Sequence, residues 1–148
     1  MTETRVAIRP RYGEVDSMGI VYHAHYLVYF DIGRTEAMRA RGMPYSEVEA
    51  KGYQLAVVAA DVRYRQPARY DEALDLRTQI HEIGKASVTF TYALHGEDGR
   101  LLATGSTRLG CLSEGRKPTL LPAELRAALE SEPLDQGRMS HPAASEEA

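Results

Sequence analysis

The chain has 148 residues, 43% hydrophobic and 26% charged, with one cysteine and a formal net charge of −3 at pH 7. These figures describe one soluble globular domain with chain enough for a single core, and they exclude a disordered, collagen-like or disulfide-framed chain. An excess of Asp and Glu (21) over Lys and Arg (18) disfavours a nucleic-acid binder.

No apolar run reaches the roughly 20 residues of a membrane helix. The polar start Met1-Thr2-Glu3-Thr4-Arg5 and the lone thiol of Cys111 point to a cytoplasmic protein. Residues 5–12 alternate basic with apolar side chains and predict a short strand, which Pro10 places at a sheet edge. Residues 13–25 form a loop. Tyr26, Phe30, Gly33, Ala37 and Ala40 then fall on one face of a 3.6-residue repeat, predicting a helix over about 24–41 that Gly42 stops. Its small residues allow close packing. Residues 44–51 predict a second, short helix.

From residue 54 the period changes to two. Residues 55–65, 74–81, 87–94 and 102–111 predict strands, punctuated by Gly84-Lys85 and by Asp98-Gly99, which make an antiparallel meander with one buried face. Pro122 opens a short closing helix over 123–129. The fold class is α+β, one long helix packed against a curved antiparallel sheet of about five strands. A single domain spans 1–130, and 131–148 is expected to be a flexible tail.

The loop carries the chemistry. Asp16 sits in a turn ahead of Gly19, several residues before the long helix. In one reading it caps that turn. In the other its carboxylate reaches a ligand held over the helix N-terminus, where main-chain N–H groups lack partners and carry partial positive charge. A carboxylate beside outward-pointing amides is the pairing that acyl transfer needs, since one acts on the carbonyl carbon and the other stabilises charge on its oxygen. His23 and His25 lie two apart on an incipient helix and diverge by about 200°, so no metal site is expected. Tyr22, Tyr26 and Tyr29 either wall an acyl pocket or pack in the core. Glu14 reads as a solvated edge-strand glutamate. Arg63, Arg65 and Arg69 cluster near a strand end, as exposed strand arginines or as a phosphate-holding group. Cys111 falls on the apolar face of its strand and reads as a small buried hydrophobe.

The pattern Asp16-x-x-Gly19-x-Val21-Tyr22-His23-x-x-Tyr26, followed by Arg34-Thr35-Glu36 and by Tyr64-x-x-Pro67-Ala68-Arg69-Tyr70-Asp71, resembles the 4-hydroxybenzoyl-CoA thioesterase branch of the hotdog-fold superfamily. The likeness covers about residues 5–130 and is strongest to the acyl-CoA thioesterases associated with the Tol–Pal cluster. It implies an acyl-CoA thioesterase with Asp16 as nucleophile or general base and the backbone N–H of His23 as oxyanion donor. Gly19, Tyr22, Tyr26, Ser87 and Lys85 would line the substrate site, with Lys85 near the CoA phosphates. The resemblance further implies a homo-oligomer, dimer or homotetramer, with active sites between protomers. No metal or cofactor is implied, coenzyme A being part of the substrate, and an acyl carrier protein is a further possible partner. The alternative is a non-catalytic module that binds acyl thioesters or acyl carrier protein on the same fold.

Overall fold

The computed structural model describes residues 3–134 and the backbone of 138–140. In chain order the elements are β1 (Thr4–Ile8), a 3-10 turn (Tyr12–Glu14), α1 (His25–Ala40), α2 (Tyr45–Ala50), β2 (Gln54–Tyr64), β3 (Leu74–Ile83), β4 (Ser87–His95), β5 (Leu101–Ser113), β6 (Lys117–Pro118), α3 (Ala123–Glu130) and β7 (Arg138–Ser140). The five long strands are the five expected from periodicity, and two short ones join them. β1 stops four residues earlier than the alternation implies. Pro10 has no N–H to donate, and its carbonyl accepts from the Asp71 N–H at 3.0 Å instead.

The strand order is β2-β5-β4-β3-β1-β7, with β6 against β5. This corrects the simple meander. β3, β4 and β5 follow one another, but β2 crosses the sheet to pair with β5, and β1 pairs with β3. All these ladders are antiparallel except β1 with β7. Register shifts at Val57/Ala59, Ile80/Glu82 and Leu94/His95 are bulges, which add twist and let the sheet curl around α1.

The core lies between α1 and the inner sheet face. Leu74, Leu76 and Ile80 of β3 and Val88, Phe90 and Leu94 of β4 point inward, against Tyr26, Tyr29, Phe30 and Ala37 of α1. Phe30 stacks on Tyr92 with centroids 4.3 Å apart, and cutting a fully buried ring of this kind to Ala costs about 3–5 kcal/mol. Gly33 sets how close the helix comes, because a Cβ there would run into Thr78 Oγ1 and stand 2.7 Å from Leu76 Cδ2. Of the segment expected as a tail, the Leu134 N–H donates to the Ala40 carbonyl at 2.7 Å, and residues 138–140 pair with β1. Residues 135–137 and 141–148 lie outside the described residues. Among the described residues no helix is long and apolar enough to cross a membrane.

Candidate active site

Residues 15–21 fold back on themselves. Val15 bridges Val21, the Asp16 N–H donates to the Ile20 carbonyl at 2.9 Å, and the Gly19 N–H donates to the Asp16 carbonyl at 3.0 Å. Gly19 has φ +77°, a left-handed conformation that favours glycine. Asp16 Oδ1 accepts the Met18 N–H at 2.8 Å, so the turn-capping role exists. That bond occupies one oxygen. Oδ2 has no hydrogen-bond partner among the described residues, and the side chain borders a cleft of about 420 Å³.

His23 borders the same cleft. α1 begins there without a side-chain cap, its N-cap being Ala24, a residue type that cannot satisfy the first amides. The His23 N–H donates to no group among the described residues. The Tyr22 carbonyl, in the same peptide plane, accepts the His25 N–H at 2.8 Å. The trans peptide therefore turns the His23 N–H away from the helix body.

The β2–β3 connection closes over this turn. The Val21 N–H donates to the Ala68 carbonyl at 2.8 Å, the Tyr70 N–H to the Gly19 carbonyl at 3.2 Å, and Ile20 bridges Arg69. The Ala68 N–H donates to the hydroxyl of buried Tyr26 at 3.2 Å. Residues 64–67 complete the cleft wall. The sequence motif included Tyr64 and Pro67 but gave no sign that they face Asp16, because that contact spans the whole of α1 and β2.

Glu14 is not a solvated edge residue. It is buried at the foot of α1, where Oε1 accepts the Tyr29 O–H at 2.8 Å and the Arg11 N–H at 3.0 Å, and Oε2 accepts the Arg11 Nε–H at 3.0 Å. His25 Nε2 lies 3.6 Å from Oε2. Burial pushes the Glu14 carboxyl up, but the bonds from Arg11 and Tyr29 outweigh it, leaving the pKa below the usual value. Burial first, and then the same carboxylate, push the Tyr29 phenol far up.

The other expected site residues are divided. Tyr26 is in the core and lines the Asp16 cleft, whereas Tyr22 is exposed, rests on the His23 ring and does not line it. Ser87 and Lys85 line a separate cavity of about 550 Å³, together with Ala56, Val58 and Arg108. Within one chain, Asp16 and Ser87 therefore stand at different places along β2. Cys111 is buried in the core cluster, as its strand position implies. No three His, Cys, Asp or Glu side chains converge on a metal-sized site among the described residues.

Charge is also segregated. Among the described residues Arg63, Arg65, Arg69, Lys85, Arg108, Arg116 and Lys117 have no carboxylate within ion-pair distance; Arg63 lies on β2, Arg108 on β5 and Lys117 on β6, with Arg65 and Arg69 in the β2–β3 connection, Lys85 in the β3–β4 turn and Arg116 in the β5–β6 turn. Arg41 aside, which is buried, the other described cations each hold an acid.

Comparison with known proteins gives a consistent result. Residues 10–129 match the family model described as the thioesterase-like superfamily. YneP of Bacillus subtilis, which carries a provisional acyl-CoA thioesterase name, is 32% identical over 86% of this chain and 91% of its own. The Escherichia coli protein named acyl-CoA thioester hydrolase YbgC is 29% identical over 83% of this chain and 92% of its own. A solved structure described as a DHNA-CoA thioesterase from Staphylococcus aureus superposes with a TM-score of 0.83 at 29% identity, covering 86% of this chain and 89% of that one.

Proposed function

The chain belongs to the thioesterase-like superfamily and has its hotdog fold, and from that premise we propose that it hydrolyses acyl-CoA thioesters at the Asp16 cleft. What supports the proposal is that Asp16 and His23 border one cleft, and that Asp16 Oδ2 and the His23 N–H each lack a hydrogen-bond partner among the described residues. The thioester oxygen is placed at that N–H, where the α1 dipole adds to its polarisation. Asp16 attacks the carbonyl carbon and expels the CoA thiolate, and water then cleaves the mixed anhydride to release the acid and restore the carboxylate; or Asp16 takes a proton from a water that attacks the carbonyl carbon directly and expels the thiolate. The capping bond at Oδ1 holds the carboxylate in place while Oδ2 reacts. Met18, Ile20, Val21 and Pro67 give the cleft apolar walls for the acyl group.

A second copy of the chain completes the site in this reading. β2 is an edge strand of 11 residues, with Val57, Val58 and Tyr64 about half exposed or more. An edge this long and apolar is a template for pairing. Antiparallel pairing with the β2 of a partner sets the Tyr64 end of one strand beside the Ala56–Val58 part of the other. Each Asp16 cleft then gains Ser87, Lys85 and Arg108 from its neighbour. The unpaired cations on this edge suit the phosphates of coenzyme A.

Purified protein, offered a panel of short aliphatic, aromatic and acyl-carrier-protein thioesters with a thiol-reactive dye, tests the proposal. Thiol release from at least one acyl-CoA is expected, and Asp16→Asn lowers kcat by about 10²–10⁴-fold with the melting temperature kept. Acyl-CoA binding without thiol release would assign a binding module in place of an enzyme.

A further inference from the structure

The peptides that flank His23 are exposed, and their anchors are few. Tyr22, His23 and Ala24 are all open to solvent. The plane that carries the His23 N–H is held by the Tyr22 carbonyl accepting from His25, and residue 22 is tied back through its own N–H to the Glu14 carbonyl at 3.0 Å. The next plane, which carries the His23 carbonyl, is held from across the cleft. The Tyr64 hydroxyl donates to that carbonyl at 2.7 Å, and among the described residues this is the only side-chain hydrogen bond made to residues 22–24. The Tyr64 ring is itself fixed edge-on against buried Tyr26, with centroids 5.0 Å apart at 87°.

We infer that Tyr64 is a positioning residue for the oxyanion donor, its hydroxyl locking the His23 peptide so that the His23 N–H stays aimed into the Asp16 cleft. The inference rests on the hydrolase reading above. Its physical content is that both planes around the His23 Cα are pinned, one by the first turn of α1 and the other by the last residue of β2. Losing the second pin frees the His23–Ala24 peptide at the helix entry, and with it the placing of the His25 N–H that holds the Tyr22 carbonyl and hence the His23 N–H. Misplacement of a catalytic group by about 1 Å costs roughly 10²-fold, so a smaller drift of the donor lowers the rate by less than that. The Tyr64 proton is committed to the carbonyl, so the residue acts through His23 and not on the acyl group.

Tyr64→Phe keeps the ring on Tyr26 and removes only the hydroxyl. Steady-state hydrolysis of the best acyl-CoA is expected to show kcat lowered about tenfold, with KM and the inhibition constant of free CoA within about twofold of wild type. An unchanged kcat, or a raised KM at constant kcat, would overturn the inference, the second by making Tyr64 a substrate contact. Replacing Tyr64 with 4-aminophenylalanine keeps ring and donor and is expected to recover most of kcat. Failure of that variant to recover in a protein of wild-type melting temperature also counts against the assignment. Wild-type protein that hydrolyses no acyl-CoA removes the hydrolase reading itself, whereas an active wild type with an equally active Tyr64→Phe removes only the role of Tyr64.

Discussion

Glu14 and Asp16 stand two residues apart, and their surroundings divide them. Glu14 is enclosed, with both oxygens accepting from Arg11 and Tyr29, while Asp16 keeps one oxygen unpartnered at a cleft. The first is tied into the fold, and the second keeps an oxygen with no protein partner among the described residues. Glu14→Gln leaves the half-exposed Arg11 guanidinium facing an amide and weakens a part-buried charge-assisted network, at a cost of about 1–3 kcal/mol. In a domain of this size that is a fall of roughly 3–10 °C in melting temperature, measurable by calorimetry. Asp16→Asn should leave the melting temperature close to wild type and remove activity instead. A Glu14→Gln protein that melts with wild type would show that the network adds nothing to the fold.

At the scale of elements, α1 and β2 do most to make the site. α1 begins after Ala24 with no side-chain cap, and the His23 N–H just ahead of it has no partner among the described residues. β2 supplies Tyr64 at its end and leaves its outer edge unpaired in a single chain. If a second copy covers that edge, wild-type protein sediments as a dimer or larger at micromolar concentration. Val58→Lys, which sets a charge on the exposed strand, then gives monomers and loses activity in parallel. An active monomeric Val58→Lys protein would contradict a site shared between protomers. The motif residues 12–26 were legible as a reactive loop because they are contiguous. Ser87 and Lys85 were legible only through resemblance, and a single chain does not bring them to Asp16.

For the whole molecule, His95, Glu14 and Asp75 respond to acid with the same sign, and the exposed Asp98, held down by Arg100, adds to them. Burial and the Arg77 charge lower the His95 pKa, and its Nδ1 is buried without a partner. Glu14 and Asp75 have depressed carboxyls; burial raises Asp75, but the bonds from Arg5 and Arg77 exceed it. In each case the unfolded chain binds the proton more readily, so stability rises with pH. The His95 contribution fades below about pH 6.5, and the carboxylate contributions are lost below about pH 4.5, as pH falls through their folded values. Chemical unfolding followed from pH 7.5 to 4 should therefore give a falling midpoint, with a flatter acid limb for Glu14→Gln. Local information determined the helix, its buried face, the five long strands and the Asp16–Gly19 turn, because periodicity and turn chemistry act between near neighbours. Only the tertiary structure decided that β2 crosses to the β5 edge, that Glu14 is buried, and that Tyr64 reaches His23 across 41 positions of chain. Those outcomes depend on which surfaces meet once the sheet has curled around α1, and no pattern within a dozen residues encodes that meeting.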